Sequence, residues 1–526
     1  MVRSRLSKVV APPDTFLTLQ DPSRMSDREQ RDLARLQELL AEIADLGRAR
    51  ALLFWDERTK MPPAGAAGRA EQIATLVRVR HRLLASPELE GLLDRLAGAE
   101  LPDPIDAATV RMAARDAGKA RAVPAELRAE MSRAASAGER TWEATREAGD
   151  FEAFLPALER TIALQRRYID CFPGVAHPYD ALLDDYEPGA LTAEVAPLLA
   201  ELRAGLTPLL AAIAGSGVEL DSSPLAGRFD PGEQERLVGR VIAGLPLAPG
   251  TWRLDQTVHP FALAISAGDV RLNTRYEPDQ LTYGLFSSIH EAGHGIYESG
   301  IPAGLRRGPL GRPPSLGFHE SQSRLWENWV GRSRPFLASL LPELRRSFPD
   351  RFAATGPEDL YRAVNRAGPS PIRVEADEVT YNLHIALRFE LELALFEDRL
   401  EPRDLPEAWR ELTRSYLGIE LASDAEGVMQ DVHWAAGSFG YFPTYSLGNL
   451  IAAQLWEQAK AEEPAATAHL ELGGLEPLRS WLDDRLYRHA GTMLPGELIP
   501  VALGGPLEAA PLLRHLQARY GELYAL

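Results

Sequence analysis

The amino-acid sequence predicts a mainly α-helical protein, one large helical body with a small antiparallel β-sheet near its middle. Three observations carry this prediction. Apolar residues recur at three- and four-residue spacing along most of the 526 residues. Breaks rich in proline and glycine separate these helical stretches. One short interval alternates apolar and polar residues instead, which is typical of strands.

The first predicted helix begins at Asp27, because Ser26 and Glu29 have the spacing of a capping box. Residues 1–25 precede this start and are expected to form an N-terminal tail, so that residues 26–526 form the folded domain. The helix is expected to extend to about Gly47. Its buried face is a stripe of aliphatic residues, namely Leu33, Leu36, Leu40 and Ile43.

Proline residues divide the helices that follow. Pro62-Pro63 ends the first pattern, and a second helical stretch continues from there to Ser86-Pro87. Further helical segments are predicted near 103–118, 124–148, 151–172 and 190–215. Helical periodicity returns at Asp279 and continues to the end of the chain.

The interval from Thr251 to Tyr276 is the predicted sheet. Apolar and polar residues alternate on both sides of Ala267-Gly268-Asp269, as in Val270-Arg271-Leu272-Asn273. This arrangement predicts an antiparallel hairpin with its turn at the glycine.

Composition excludes some classes of function. The formal charge is −18, with 57 basic against 75 acidic residues, which argues against a nucleic-acid partner. No apolar run reaches the roughly 18 residues that a membrane span needs, so we expect no membrane partner. Cys171 is the single cysteine. It could be a nucleophile but is better read as a small buried side chain, and its solitary occurrence suits a reducing, cytoplasmic location.

The segment His290-Glu291-Ala292-Gly293-His294 carries the chemistry. On a helix, His290 and His294 share a face and can bind one metal ion, typically zinc. Glu291 is rotated by one residue and therefore flanks the metal, as a base that acts on metal-bound water must do. Two satisfied surface histidines on an ordinary helix are the structural alternative. Gly293 suggests close packing against another element, since glycine inside a helix is costly.

A tetrahedral catalytic site needs a third protein ligand. Two glutamates on the next predicted helix are candidates: Glu320, 30 residues after His290, and Glu327. Spacing alone leaves both open. In either case we expect Glu291 to take a proton from the metal-bound water and to pass it to the leaving amine.

Over residues 27–525 the sequence resembles the thermostable metallo-carboxypeptidases of the carboxypeptidase Taq type. The resemblance rests on several motifs: Leu52–Asp56 with Met61–Pro63, His259–Phe261 (HPF), His290–His294 (HExxH), His319–Ser323 (HESQS), Ile372–Asp377 (IRxxAD) and Gly427–Trp434 (GxxQDxHW). One motif departs from the family. Asn273 stands where the DxRxT motif has threonine, which affects the hydrogen bonding around that strand.

The resemblance implies that Glu320 is the third metal ligand. It also implies a helical, zincin-like homodimer whose site lies at the base of a long groove. Members of this family remove single residues from peptide C-termini with broad specificity and use zinc or cobalt. Peptides with a free C-terminus are therefore the expected substrates.

A carboxypeptidase must hold a free terminal carboxylate, and a bidentate arginine suits that task. Arg373 in the IRxxAD-like segment is our candidate, with a structural pair to Asp377 or Glu375 as the alternative. Arg271 is the second candidate, with Asp269 as its alternative partner. His259 is a further candidate substrate contact or else a structural histidine.

Three more residues resemble positions where related zincins place donors to the substrate and to the oxyanion: His433, Tyr441 and Tyr445. The tyrosines could equally be core aromatics. Which tyrosine stabilises the oxyanion is not decided by the sequence.

Other functions remain as rivals. An oligopeptidase would use the same metal chemistry and would cut amidated and free peptides equally well. A non-enzymatic helical scaffold would bind no metal, and an aminopeptidase would need an acidic element to hold the substrate amine.

Overall fold

The computed structural model describes residues 25–526, so all but the last residue of the predicted tail lies outside the described residues. From residue 25 onward, nine helices form the first part of the described chain: α1 Asp27–Thr59, α2 Ala66–Leu84, α3 Pro87–Leu96, α4 Pro104–Ala122, α5 Ala125–Arg146, α6 Phe151–Ile169, α7 Pro178–Leu183, α8 Thr192–Gly215 and α9 Pro231–Ala243. Three strands follow: β1 Trp252–Gln256, β2 Phe261–Ser266 and β3 Asp269–Thr274. The predicted fold class, mainly helical with a small central sheet, is confirmed.

Twelve more helices complete the described chain: α10 Leu281–Gly300, α11 Leu316–Arg324, α12 Arg334–Ser347, α13 Pro349–Phe352, α14 Pro357–Val364, α15 Glu378–Phe396, α16 Leu405–Leu417, α17 Pro443–Glu462, α18 Pro464–Ala468, α19 Glu476–Arg485, α20 Pro495–Leu503 and α21 Ala510–Tyr524. A π-helical segment, Leu325–Gly331, continues α11 directly. Short 3₁₀ turns occupy several of the connections.

Helix α1 begins as predicted and ends later than predicted. The Ser26 side chain and the Glu29 side chain form the reciprocal capping box at its start. The helix then continues through the Leu52–Asp56 segment to Thr59, because Trp55 is buried and extends the buried face by three further turns.

The sheet is mixed, which corrects the expectation of an antiparallel sheet. Strands β2 and β3 form the predicted antiparallel hairpin, with Ala262 opposite Leu272. Strand β1 pairs with β3 in parallel, with Leu254 opposite Leu272, so the strand order is β1-β3-β2. The chain reverses after β1 and leaves room for β3 between the first two strands, an arrangement that alternation alone does not encode.

In the described part of the chain, two apolar cores hold most of the helices together, beside a third, smaller cluster around Met112 and Leu310. A small core joins α1, α3 and α4 through leucines such as Leu36 and Leu89. The main core includes α10, α11, α15 and α17, with Ile289 and Leu387 fully buried. The motif-bearing helices therefore lie in the larger core, where their side chains are fixed by packing.

Helix α8 is long and apolar enough to cross a membrane by length and composition. Its Leu199, Leu202 and Leu206 are buried in the main core, and α8 packs on α15. Packing inside the protein therefore accounts for this buried part of α8.

Candidate active site

Helix α10 holds the two histidines against α11. As predicted, Leu281, Leu285 and Ile289 form its buried stripe. At Gly293 the two helices meet backbone to backbone, because a Cβ there would lie 2.6 Å from the carbonyl oxygen of Gln322. This contact explains the glycine inside the helix and brings Glu320 opposite the histidines.

Three side chains converge on one point. The Oε2 atom of Glu320 lies 3.6 Å from Nε2 of His290 and 3.6 Å from Nε2 of His294. Ligands at zinc–ligand distances in a tetrahedron lie about 3.4 Å apart, so these donors fit a zinc-like ion. His290, His294 and Glu320 are thus a group able to hold a metal, and the structure selects Glu320 over Glu327 for it.

Glu327 lies behind the histidines instead. Its Oε2 atom is 2.9 Å from Nδ1 of His290, the ring nitrogen that faces away from the convergence point. Arg324 and Arg332 flank the same carboxylate. Such an outer carboxylate fixes the tautomer and the direction of a metal-binding imidazole.

The second oxygen of Glu320 is also held in place. Arg324 donates from Nε to Oε1 of Glu320 at 2.7 Å, and Ser323 donates to Oε2 at 3.1 Å. The guanidinium of Arg324 lies over the ring of Tyr381, 4.1 Å from its centroid. Arg324 therefore anchors Oε1 of Glu320, while Oε2 is held by Ser323 and directed to the histidines.

Glu291 is buried next to this group, with 6% of its surface exposed. Burial raises the pKa of Glu291 to about 7, partly offset by His290, while Glu320 and Glu327 raise it further. A carboxyl group with a pKa near 7 can both accept and release a proton at neutral pH, which is the property of a general acid–base.

Helix α17 brings the aromatic candidates to the same site. Gly448 lets α17 approach Glu320 closely, since a Cβ there would lie 2.7 Å from Cγ of Glu320. Tyr441 and Tyr445 lie just before this contact, with ring centroids 5.3 Å apart. Burial and the nearby Glu320 carboxylate raise the pKa of Tyr441 to about 12, so it stays a hydrogen-bond donor.

His433 belongs to this aromatic group. Its Nε2 atom lies 3.3 Å from the hydroxyl of Tyr445, and its ring packs on Phe442 at 4.5 Å between centroids. Burial lowers the pKa of His433 to about 4, so its ring is neutral at pH 7. The structure thus brings His433, Tyr441 and Tyr445 together, and Glu320 lies close enough to the two tyrosines to raise their pKa.

Arg373 does not pair with Asp377 or Glu375, the alternative partners weighed for it. Its Nε and Nη2 atoms donate to Oδ1 of Asp431 at 3.1 and 2.7 Å. Its Nη1 atom donates to the hydroxyl of Tyr381 at 3.1 Å. Arg373 is therefore buried beside the aromatic residues of the site, with its guanidinium carbon 5.0 Å from the ring centroid of Tyr445.

The other two substrate candidates lie in or beside the sheet. Arg271 pairs with Asp269 on its own strand, as its structural alternative predicted, and lies 4.4 Å over the ring of Trp55. His259 is exposed in the connection between β1 and β2. Asn273, the departure from the family motif, is buried; it accepts from Trp55 and donates to the carbonyl of Phe261.

The buried charged residues that bind Arg373 and the segment around His433 were not identified from the sequence. Asp431 is bound by Arg373 on one side and by Arg388 on the other. Glu392 is buried near the same segment. A signal existed for both residues on α15, because Arg388 and Glu392 are charged, lie four positions apart on one helix face, and stand between apolar neighbours.

A mainly helical body with a partly buried His–His–Glu donor group and an adjacent buried glutamate has the parts of a metallopeptidase. The sequence matches the family described as carboxypeptidase Taq (M32) metallopeptidase over residues 35–520. The chain belongs to this family and is a metallo-carboxypeptidase.

Individual relatives agree with this assignment. The chain is 42% identical to thermostable carboxypeptidase 1 of Thermus thermophilus, over 94% of this chain and 98% of the relative. It is 37% identical to carboxypeptidase 1 of Bacillus subtilis, over 93% and 98%. The crystal structure of the M32 carboxypeptidase from Deinococcus radiodurans superposes with a TM-score of 0.91 at 38% identity, covering 95% of this chain and all of that one.

Proposed function

We propose that this protein removes single amino acids from peptide C-termini with broad specificity, by Glu291-assisted attack of water at a zinc site, with cobalt as an alternative metal. The observation that carries the proposal is the convergence of His290, His294 and Glu320 beside the buried Glu291. These are the parts that a metal-assisted peptide hydrolase requires.

Each residue has a distinct task in this proposal. When bound, the metal supplies Lewis acidity, which polarises the scissile carbonyl and lowers the pKa of a water to about 7. Glu291 accepts the proton of that water and delivers it to the nitrogen of the leaving amino acid. His433, Tyr441 and Tyr445 donate hydrogen bonds to the carbonyl oxygen as it gains negative charge.

Arg373 is the proposed anchor for the substrate carboxylate. Three of its N–H groups donate to Asp431 and Tyr381. An arginine has five such groups, so two remain, one each on Nη1 and Nη2. Two adjacent N–H groups form the fork that binds a carboxylate with both oxygens. Arg271 is a second-choice contact, because it is already paired with Asp269. His259 is the other second-choice contact.

The test uses one pentapeptide with either a free or an amidated C-terminus. Purified protein is stripped with a chelator, reloaded with Zn²⁺ or Co²⁺, and the products are followed by mass spectrometry. We expect stepwise loss of single C-terminal residues from the free acid only, dependent on added metal. Equal internal cleavage of both peptides would refute the exopeptidase function and the anchor role of Arg373. A series of peptides that differ only in the last residue tests the breadth of specificity.

We also propose a cytoplasmic homodimer. The single free cysteine, Cys171, suits a reducing compartment. Helix α2 is the proposed contact with the partner subunit, because Ile73 and Leu76 are only half-buried there and Val77 is 48% exposed. Cell fractionation tests the location. Light scattering of wild-type and Val77→Glu protein tests the dimer, and an unchanged dimer mass in the variant would exclude this face as the interface.

A further inference from the structure

The segment between α16 and α17, residues 418–442, carries two proposed substrate-facing side chains but contains neither α-helix nor strand. His433 and Tyr441 both belong to it. Irregular segments lack the hydrogen-bond ladder that fixes side chains in helices and strands, so their orientation depends on other contacts. Helix α15 supplies these contacts from one face.

Glu392 on α15 binds this segment at two points. Its Oε1 atom accepts a hydrogen bond from Nε1 of Trp434 at 2.7 Å, and its Oε2 atom accepts one from the backbone N–H of Gly440 at 3.0 Å. The hydroxyl of Tyr179 donates a third bond to Oε2 at 2.5 Å. Trp434 directly follows His433 in the chain, and Gly440 directly precedes Tyr441.

Arg388, one helical turn before Glu392, holds the other side of His433. Its Nε and Nη2 atoms donate to Oδ2 of Asp431 at 2.8 and 2.6 Å. His433 is therefore flanked by two residues, Asp431 and Trp434, that bind neighbouring side chains of the same helix. The chain is therefore anchored to α15 on both sides of His433.

Packing alone does not require a carboxylate at position 392. The side chain is fully buried, and burial raises its pKa to about 7. An apolar residue of similar volume would fill this place at a lower desolvation cost. Only an acceptor with two oxygens satisfies three donors at once, and two of these donors belong to the segment that carries His433 and Tyr441.

We propose that Glu392 is a positioning residue for the peptidase reaction: through Trp434 and Gly440 it fixes the orientation of His433 and Tyr441 toward the substrate. The inference rests on the roles proposed above for these two residues. It predicts that the integrity of the Glu392 carboxylate controls kcat without controlling metal binding.

The first test is Glu392→Gln, which keeps the volume but replaces one acceptor oxygen by an NH₂ group. At least one donor of the segment or of Tyr179 then faces another donor. We expect kcat per zinc-loaded enzyme to fall roughly 10- to 100-fold, as small misplacements of catalytic groups do, with zinc affinity unchanged. Glu390→Gln is the matched control, since Glu390 is on the same helix, partly exposed, and its nearest basic partner is Arg203 at 3.8 Å. It should keep wild-type kcat.

A double-mutant cycle separates positioning from general destabilisation. Glu392→Gln is combined with His433→Phe and, separately, with Tyr441→Phe. If Glu392 acts through these residues, its substitution costs much less in at least one of the two backgrounds than in the wild type. An equal loss in all three backgrounds overturns the inference. Full activity of both single variants, His433→Phe and Tyr441→Phe, would instead refute the proposed roles of those residues. These two variants are assayed with Glu392 intact, so that outcome is distinguishable from a failure of the Glu392 inference.

A second variant keeps the test decisive if Glu392→Gln does not fold. Trp434→Phe retains an aromatic ring and removes only the Nε1 donor to Glu392. We expect about a tenfold lower kcat per zinc-loaded enzyme, again reduced in the His433→Phe background. Unchanged kcat in Trp434→Phe overturns the inference.

Discussion

Glu327 allows a test of how the candidate site would hold a metal. Its carboxylate contacts the candidate ligand His290 but does not belong to the donor group itself. Its carboxylate accepts from Nδ1 of His290 at 2.9 Å and lies within 3.5 Å of both Arg324 and Arg332. In Glu327→Gln an amide oxygen can still accept this bond, but the charge is lost. A charge-assisted hydrogen bond is worth about 1–1.5 kcal/mol more than a neutral one, which predicts roughly tenfold weaker zinc binding. In Glu327→Ala the bond is lost altogether, and roughly 100-fold weaker binding is expected.

Zinc affinity is measured by competition against a chromophoric chelator of known Kd. The matched control is Glu343→Gln, because Glu343 also bridges two arginines, Arg240 and Arg346, but does so on α12. It should bind zinc as the wild type does. Zinc affinities within threefold of wild type for both Glu327 variants would refute the reasoning that this carboxylate orients His290.

Three further predictions concern other parts of the molecule. Glu291→Gln should keep its metal and lose roughly 10²- to 10⁴-fold in kcat; a variant that is metal-loaded and retains a tenth of the activity would contradict the general-base role. Gly293→Ala should lower the free energy of unfolding by about 1–3 kcal/mol, because its Cβ would lie 2.6 Å from the carbonyl oxygen of Gln322; Gly118→Ala, in open space on α4, should instead be neutral or stabilising. Burial raises the pKa of Glu187 from 4.5 to about 8. The folded state therefore holds this proton more tightly, and the stability it contributes is complete below pH 4.5 and declines as the pH rises to about 8. Each tenfold change in proton affinity is worth about 1.4 kcal/mol, so urea unfolding at pH 5 and at pH 8.5 should show a decline on the order of 4 kcal/mol that Glu187→Gln lacks; equal declines in the two proteins would exclude Glu187 as its source.

The two histidines of the candidate metal group could be brought together from the sequence because their spacing is local. Helical periodicity places His290 and His294 on one face without any knowledge of the rest of the fold. The choice between Glu320 and Glu327 could not be made by spacing, since seven residues are close to two helical turns and leave both on one side. The structure separates them by depth: Glu320 faces Nε2 of both histidines, and Glu327 faces Nδ1 of His290.

Contacts between distant parts of the chain were not predictable in the same way. The alternation in β1, β2 and β3 indicates which residues face inward, but not which strands are neighbours, so the parallel pairing of β1 with β3 was missed. The partner of Arg373 lies 58 residues further along the chain, at Asp431, whereas sequence reasoning weighed only nearby acids. Hydrogen-bond partners of this kind depend on tertiary packing, which a single sequence does not reveal.

The position of α11 between two glycines has a consequence for the choice of metal. Gly293 of α10 touches the backbone of α11 on one side, and Gly448 of α17 touches Glu320 on the other. With no Cβ at either glycine, α11 packs closely against both neighbours, so the span between Glu320 and the two histidines depends on this close packing. An ion with longer bonds or a need for six oxygen ligands would have to be accommodated by side-chain rotation alone. Under the proposed function, ions of nearly equal radius, such as zinc and cobalt, are therefore expected to exchange at this site with little displacement of the helices.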